Sequence, residues 1–465
     1  MILNITTMKK YILAPITLMM IFLFNSCQQN EIFLTGSVEG SDSTIVAISD
    51  FIISDTPDTI VVKDGKFSHK INIEHPGYYY FIYGEEVKMI FLAPGYDLNI
   101  AIQATDSTTN YTFLGKGDLE NNTLQKINKE LDKLSFNQIE SIPFNSRNKY
   151  IDSLFNAFKN NFSDSVKHKK IDPIFVNFQK KYFDYNSAML KTYFGLQSEN
   201  KDPSYFKFVD DLDLNNGQCL GIPVFRWFLD YHTEYLLEES LLKMDSIKRD
   251  QEETRMIAKF EVIKNYENKI IKEYLMFSSL KQIIEYEGVE GFKKVKVYYD
   301  DFVKQDKYRD YIQIILNKKL LISKGKPAFN FTGIDKNGKE VQLKELNGKI
   351  VYLDFWATWC KPCKAEAPFN TLLSNEFKGK GIQFVSISID DEKNLEEWKN
   401  FIKEDKNILH LRITKDKVKE LTDAFQIKGI PTYMLIDQNG NFINSAAPRP
   451  SSSEIRQILN QLTQK

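Results

Sequence analysis

A chain of 465 residues with 61 basic against 62 acidic side chains, formal net charge -1, carries no electrostatic footprint for nucleic acid. Its hydrophobic content of 42% is that of an ordinary globular protein, and its length suggests about three domains. Four cysteines over this length are far too few for a disulfide-stapled secreted scaffold, so a cysteine pair here points to chemistry rather than to stability.

The chain begins MILNITTMKKYILAPITLMMIFLFNSCQQNE. Lys9 and Lys10 precede an almost wholly apolar run from Tyr11 to Phe24, and Met8-Lys9-Lys10 reads as the more natural start. The run is shorter than the roughly 20 apolar residues that span a bilayer. A basic start followed by a short apolar core has the form of a secretory signal. Ser26-Cys27 resembles a bacterial lipobox, with Phe24 where Leu is usual. That resemblance implies a lipoprotein signal peptide over residues 1–26, cleavage before Cys27 and a lipid on that thiol. An ordinary cleaved signal and a short anchor helix are the alternatives.

Residues 27–117 read as an all-β, sandwich-like domain of at least six short strands. In TIVVKDGKFSHKINI, Asp64-Gly65 separates two alternating runs, a hairpin signal because that pair tolerates positive φ at both turn positions. YYYFIYG and EVKMIFLAP follow as apolar strands, with Pro94-Gly95 marking the next turn. FLTGSVEG, DGKF and FLAPGYDLNI resemble the β-rich domain of unknown function that precedes thioredoxin-like domains in many Bacteroidota lipoproteins. Positioning, partner binding and a plain spacer are all open for it.

Residues 118–322 change character. Gly becomes scarce, and LLEESLLKMDSIKRDQEETRMIAKFEVIKNYENKIIKEYLMF places apolar residues at helical spacing between charges. This predicts a helical domain with breaks near Asp172-Pro173, Asp202-Pro203 and Asn216-Gly217, its Phe and Tyr residues serving as core. Cys219 reads as a buried small hydrophobe, with a regulatory thiol as the alternative. The five histidines form no metal-ligand spacing with a cysteine, and no metal is expected.

From residue 323 strands alternate with helices, which implies an α/β domain to residue 465. FNFTGIDKNGKEVQLKEL reads as two strands, KIVYLDFW and IQFVSISID as buried strands, and PTYMLIDQNGNFINS as a hairpin; NLEEWKNFI, KVKELTDAF and SEIRQILNQL read as helices. Between the two buried strands lies WCKPC. Cys363, three residues after Cys360 on one helix face, brings two sulfurs within bonding reach. Cys360 at the helix N-cap faces unpaired N–H groups that favour a thiolate and lower its pKa towards 7, near the optimum for thiol–disulfide exchange. Cys363, one turn inside and more buried, would resolve what Cys360 attacks. Pro362 is compatible with the first turn. Trp359 is expected to shield the nucleophile and contact substrate, or else simply to pack; Lys361 adds a positive charge or is merely solvated.

FWATWCKPC, Glu366, Pro368 and Gly429-Ile430-Pro431-Thr432 resemble the thioredoxin fold and, within it, the membrane-anchored TlpA/ResA-like thiol–disulfide oxidoreductases. The resemblance implies a buried Asp354 behind the resolving cysteine, sharing acid–base work with Glu366. The lysine that thioredoxin pairs with such an aspartate is absent from FVSISID, which leaves the proton route open. It further implies a cis bond at Ile430-Pro431, facing the cysteines and pairing with substrate, and a structural kink at Pro368. No cofactor is implied beyond the redox-active disulfide. The implied location is the periplasm, tethered to a bacterial membrane by lipid. Implied partners are periplasmic protein thiols and disulfides, apocytochromes awaiting haem among them, and a transmembrane thiol carrier as electron donor. Lys-Pro between the cysteines resembles the reducing members. Two alternatives remain. One is a thiol peroxidase, although Thr358 is two residues before Cys360 where peroxiredoxins place Thr three before. The other is a partner-binding lipoprotein with an accessory redox domain.

Overall fold

Alternating apolar residues shape the first eight strands. A computed structural model describes residues 31–40, 45–53, 57–73, 75–84, 86–105, 109–198, 203–245, 251–402 and 407–464. The expected signal peptide and Cys27 lie outside the described residues. The chain divides into two units, one ending at Leu275 and one beginning at Met276. Among the described residues no helix is long and apolar enough to cross a membrane.

In the first unit, β1 (Glu31–Glu39), β2 (Ile45–Ser49), β3 (Asp58–Val61), β4 (Lys66–Asn72), β5 (Gly77–Tyr83), β6 (Glu86–Leu92), β7 (Asp97–Ala104) and β8 (Thr109–Lys116) form two four-stranded sheets, ordered β4-β1-β7-β8 and β3-β2-β5-β6. Every second residue turns inward, as in Ile32 and Leu34 of β1 and Leu98, Ile100 and Ile102 of β7. The Asp64-Gly65 turn forms with both φ values positive, 50° and 67°, closed by hydrogen bonds in both directions between Lys63 and Lys66. It does not continue into the expected hairpin. β3 pairs with β2 and β4 with β1, so the strands part into different sheets. Each carries little apolar surface, chiefly Ile60 and Phe67, and each buries it by joining a longer strand.

The helices that follow are α1 (Asp118–Leu131), α2 (Phe136–Ser141), α3 (Phe144–Val166), α4 (Pro173–Gln197), α5 (Pro223–Leu241) and α6 (Glu252–Lys264). Asn121 ties α1 to β6, accepting from Phe91 N at 2.8 Å and donating to Phe91 O at 2.9 Å. Asp172 caps α4 by accepting from Ile174 N, with Pro173 in the first turn. Helices α3 to α6 pack pairwise in sequence around an aromatic core that includes Phe162, Phe175 and Phe183. Cys219 is buried, its sulfur 3.5 Å from Lys181 Nζ. Helix α7 (Lys269–Phe302) is interrupted at Gly288, where φ is 70°.

The second unit holds α8 (Asp306–Leu321) and a seven-stranded sheet built from β9 (Thr332–Asp335), β10 (Glu340–Gln342), β11 (Ile350–Trp356), β12 (Ile382–Ser388), β13 (Ile408–Arg412), β14 (Thr432–Ile436) and β15 (Phe442–Asn444). Their order is β10-β9-β13-β12-β11-β14-β15. β11 and β12 run parallel, joined through α9 (Lys361–Glu376); β14 lies antiparallel on the other side of β11. Helices α10 (Leu395–Phe401), α11 (Lys415–Ala424) and α12 (Ser453–Thr463) complete the unit. This is the thioredoxin fold the motifs imply. Covered on both faces, β11 is buried at all seven positions, which is why IVYLDFW shows no polar alternation beyond Asp354.

Candidate active site

The pleat of β11 sorts its residues into two layers. Val351, Leu353 and Phe355 join one core with Val385, Ile387 and Phe425. Ile350 and Tyr352 join another with Leu373 and Phe377 of the α9 segment. Asp354 and Trp356 continue this second face towards the strand's C-terminal end. Helix α9 runs back over it, burying Cys363, Asn370, Leu373 and Ser374, which share one stripe at helical spacing. Cys363 therefore packs with Trp356, Ala357, Cys360, Trp398 and Ile402, while Asn370, two turns on, reaches Asp354.

Cys360 and Cys363 are joined in a disulfide, with Cα atoms 5.3 Å apart. Cys360 is the N-cap of α9, and its sulfur accepts from Cys363 N at 3.2 Å. A negative charge on that sulfur would meet the same N–H and the positive end of the helix dipole. The peptide between Ile430 and Pro431 is cis, and Ile430 O lies 3.7 Å from Cys360 Sγ. Both cysteines are equally enclosed, each 4% exposed. The sequence reading expected Cys363 to be the more buried of the two; in the disulfide form the Ile430 turn and the Trp356 cluster cover Cys360 to the same degree. Trp359, beside the disulfide, is 62% exposed.

Asp354 sits in the interior at 8% exposure. Its Oδ2 accepts twice, from Asn370 Nδ2 at 3.0 Å and from Ser386 Oγ at 3.1 Å. Its Oδ1 is buried without a hydrogen-bond partner among the described residues. Burial pushes the carboxyl up to about 7; the hydrogen bonds from Ser386 and Asn370 oppose the rise, and the negative charge of Glu366 adds to it. Register explains the neighbours: Ser386 on β12 and Tyr433 on β14 lie directly opposite Asp354. A serine hydroxyl thus stands on the strand where thioredoxin supplies a lysine. The Tyr433 and Tyr352 phenols are both held above their ordinary range, chiefly by burial and then by the charge of Asp354. Glu366 is half-buried, and its two oxygens accept from Ser451 N at 3.1 Å and Ser451 Oγ at 2.9 Å.

The loop that delivers Cys360 is fastened by a residue the sequence reading did not select. Asp390, fully buried, accepts from Thr358 N at 3.1 and 3.0 Å, from Thr358 Oγ1 at 2.7 Å and from Ser388 Oγ at 2.7 Å. Such charge-assisted bonds are each worth about 1.5–3 kcal/mol, enough to hold the turn before the nucleophile in one geometry. Asn370 and Ser386 were missed as well. The signal was present in FVSISID: Ser386, Ser388 and Asp390 recur at period two through an otherwise apolar stretch that covers the end of β12 and the two residues after it. Buried polar side chains at strand spacing announce partners elsewhere in the core.

Residues 324–444 match the model of the AhpC/TSA family, and residues 33–122 that of a domain of unknown function, DUF4369. Thiol-disulfide oxidoreductase ResA of Bacillus cereus is 32% identical over 139 residues, which cover 30% of this chain and 78% of that relative. ResA of Oceanobacillus iheyensis is 37% identical over 126 residues, covering 27% of this chain and 64% of the relative. Among solved structures, the thioredoxin domain of a thiol-disulfide oxidoreductase from Bacteroides vulgatus is 31% identical and matches 30% of this chain and 98% of that one, with a TM-score of 0.28.

Proposed function

We propose, for a chain that belongs to the ResA-type thiol–disulfide oxidoreductases, an envelope enzyme that exchanges disulfides with protein substrates through Cys360 and Cys363, in the reducing or isomerising direction. The observation that carries this reading is the disulfide at a helix N-terminus, with Cys360 Sγ accepting from Cys363 N and Ile430 O 3.7 Å away.

In the reduced enzyme Cys360 is the thiolate. It attacks one sulfur of a substrate disulfide; the bond between the two substrate sulfurs breaks, and the second leaves as a thiolate that takes a proton from solvent. The exposed indole of Trp359 and the backbone of Ile430 hold the substrate strand beside the mixed disulfide. Cys363 then gives up its proton to Asp354, with the charge of Glu366 adjusting the acceptor, and its thiolate displaces the remaining substrate sulfur, which leaves as a thiolate and takes a proton from solvent while Asp354 returns its own. Two electrons have passed from the dithiol to the substrate. The disulfide supplies the redox centre, and a transmembrane thiol carrier returns the electrons. The thiol peroxidase alternative gains nothing from Thr358, whose hydroxyl is given to Asp390 rather than to the sulfur.

Direction is tested by equilibrating the enzyme with glutathione. The expected reduction potential lies between about −180 and −270 mV, with insulin reduced faster than by dithiothreitol alone. A value near −120 mV, that of a strong oxidant, would overturn the reducing assignment. The N-terminal pattern supports tethering by lipid on Cys27 and a substrate pool of periplasmic thiols, apocytochromes included. Palmitate should label the protein in cells, and label that survives Cys27→Ser would refute that anchor.

A further inference from the structure

Asp354 is gripped asymmetrically. Both hydrogen bonds go to Oδ2, one from helix α9 and one from the neighbouring strand β12. Oδ1 has none among the described residues. The oxygen that already accepts twice is the poorer place for a proton, because protonation there would displace a donor. Oδ1 is therefore the atom on which the acid carries its hydrogen. Asn370 and Ser386 are themselves buried, at 3% and 4% exposure. A polar pair enclosed to this degree, both members aimed at one carboxylate oxygen, is costly to fold unless the carboxylate is there to be held.

We propose that Asn370 and Ser386 are positioning residues for disulfide exchange: they fix Asp354 through Oδ2, leave Oδ1 as the proton-accepting atom, and replace by two neutral donors the cationic partner that thioredoxin uses. The proposal rests on the reading of Asp354 as proton acceptor given above. The chemical consequence differs from that of a lysine. Two neutral donors favour the carboxylate without adding a charge to the interior, so the cost of ionising Asp354 is set by burial and by its neighbours. The groups that face it are Glu366 from α9, Tyr352 from its own strand and Tyr433 from β14. Arg449 places a positive charge near Tyr433. With both donors present, an internal carboxyl ionises near neutral pH; with either removed, it keeps its proton longer.

The test uses the full chain with carbon-13 aspartate and follows the Asp354 carboxyl through pH in wild type, Ser386→Ala and Asn370→Leu. Each variant should raise the titration midpoint by about one pH unit or more. From a midpoint near 7 that lowers the ionised fraction at pH 7 about fivefold, and insulin reduction at pH 7 should fall to match and recover at pH 9. Ser386→Thr, which keeps the hydroxyl, should restore both. Ser386→Ala removes a single oxygen, so a readable variant survives even if Asn370→Leu fails to fold. A midpoint that stays within 0.3 unit of wild type in Ser386→Ala overturns the proposal, because a merely structural serine would lower activity without moving the carboxyl. Should Asp354→Asn keep the wild-type pH–rate profile while the two variants still move the carboxyl titration, the proton-acceptor reading falls instead, and with it the kinetic half of the proposal; the assignment of the hold through Oδ2 would stand.

Discussion

Cys363→Ala stops the reaction halfway. In that variant Cys360 keeps its place at the N-cap of α9, and the N–H of residue 363 still points at its sulfur. Attack on a substrate disulfide proceeds, but no thiol stands within reach to complete the exchange. The expected result is a ladder of mixed disulfides on Cys360, visible on non-reducing gels and released by dithiothreitol, with insulin reduction at the no-protein rate. Cys360→Ser behaves differently: turnover is lost to the same extent and no adducts accumulate. Both substitutions are close in size to a side chain 4% exposed in a packed cluster, so a general collapse of the fold is not the expected cause. Adducts on Cys363 in Cys360→Ser at the yield seen on Cys360 in Cys363→Ala would exchange the two roles. The captured proteins, identified by mass spectrometry, would name the substrate class that the first 275 residues leave open.

What the chain shows on inspection and what it hides divide along one physical line. Features set by spacing within an element were legible. Cys360 at a helix start, Cys363 one turn inside, Pro362 in the first turn and the positive-φ pair Asp64-Gly65 all follow from local geometry. Features set by which faces meet were not. The Asp64-Gly65 turn was read correctly, but that β4 would join β1 rather than β3 depends on where each strand finds apolar cover. Glu366 was placed on the right helix, yet its partner is Ser451, 85 residues further along the chain. The polar stripe Ser386, Ser388 and Asp390 was visible as a period of two. Its division of labour was not, because Ser386 reaches Asp354 through sheet register and Asp390 reaches Thr358 across a loop. Position in an element is a one-dimensional property; hydrogen-bond partners in a core are a three-dimensional one.

Asp354→Asn should make the protein slower and, above neutral pH, more stable. The carboxyl ionises at about 7 in the folded chain and near 3.9 in an unfolded one. Below about pH 4 both states are protonated and the residue costs nothing. As pH rises from about 4 to 7 the unfolded chain releases its proton while the folded chain keeps it, so the unfolded state binds fewer protons and stability falls with pH. Above 7 the loss is complete, roughly three units or about 4 kcal/mol. Asparagine does not titrate and escapes this loss. Its amide can accept at Oδ1 from Asn370 and Ser386, but its NH2 group then enters the unpartnered site, at a cost of about 1–3 kcal/mol. The balance is a gain of roughly 2 kcal/mol at pH 8 and a loss of similar size at pH 4. Because the chain holds two units, global unfolding is not two-state, and the measurement should be hydrogen exchange of the β11 amides at several pH values. Protection curves for wild type and variant that stay parallel from pH 5 to 8 would show that Asp354 is ionised throughout and carries no such strain. Over the same range insulin reduction by the variant should fall about a hundredfold, the usual contribution of a placed general base. Stability gained and activity lost at one atom would mark a group kept in the core for its chemistry rather than for the fold.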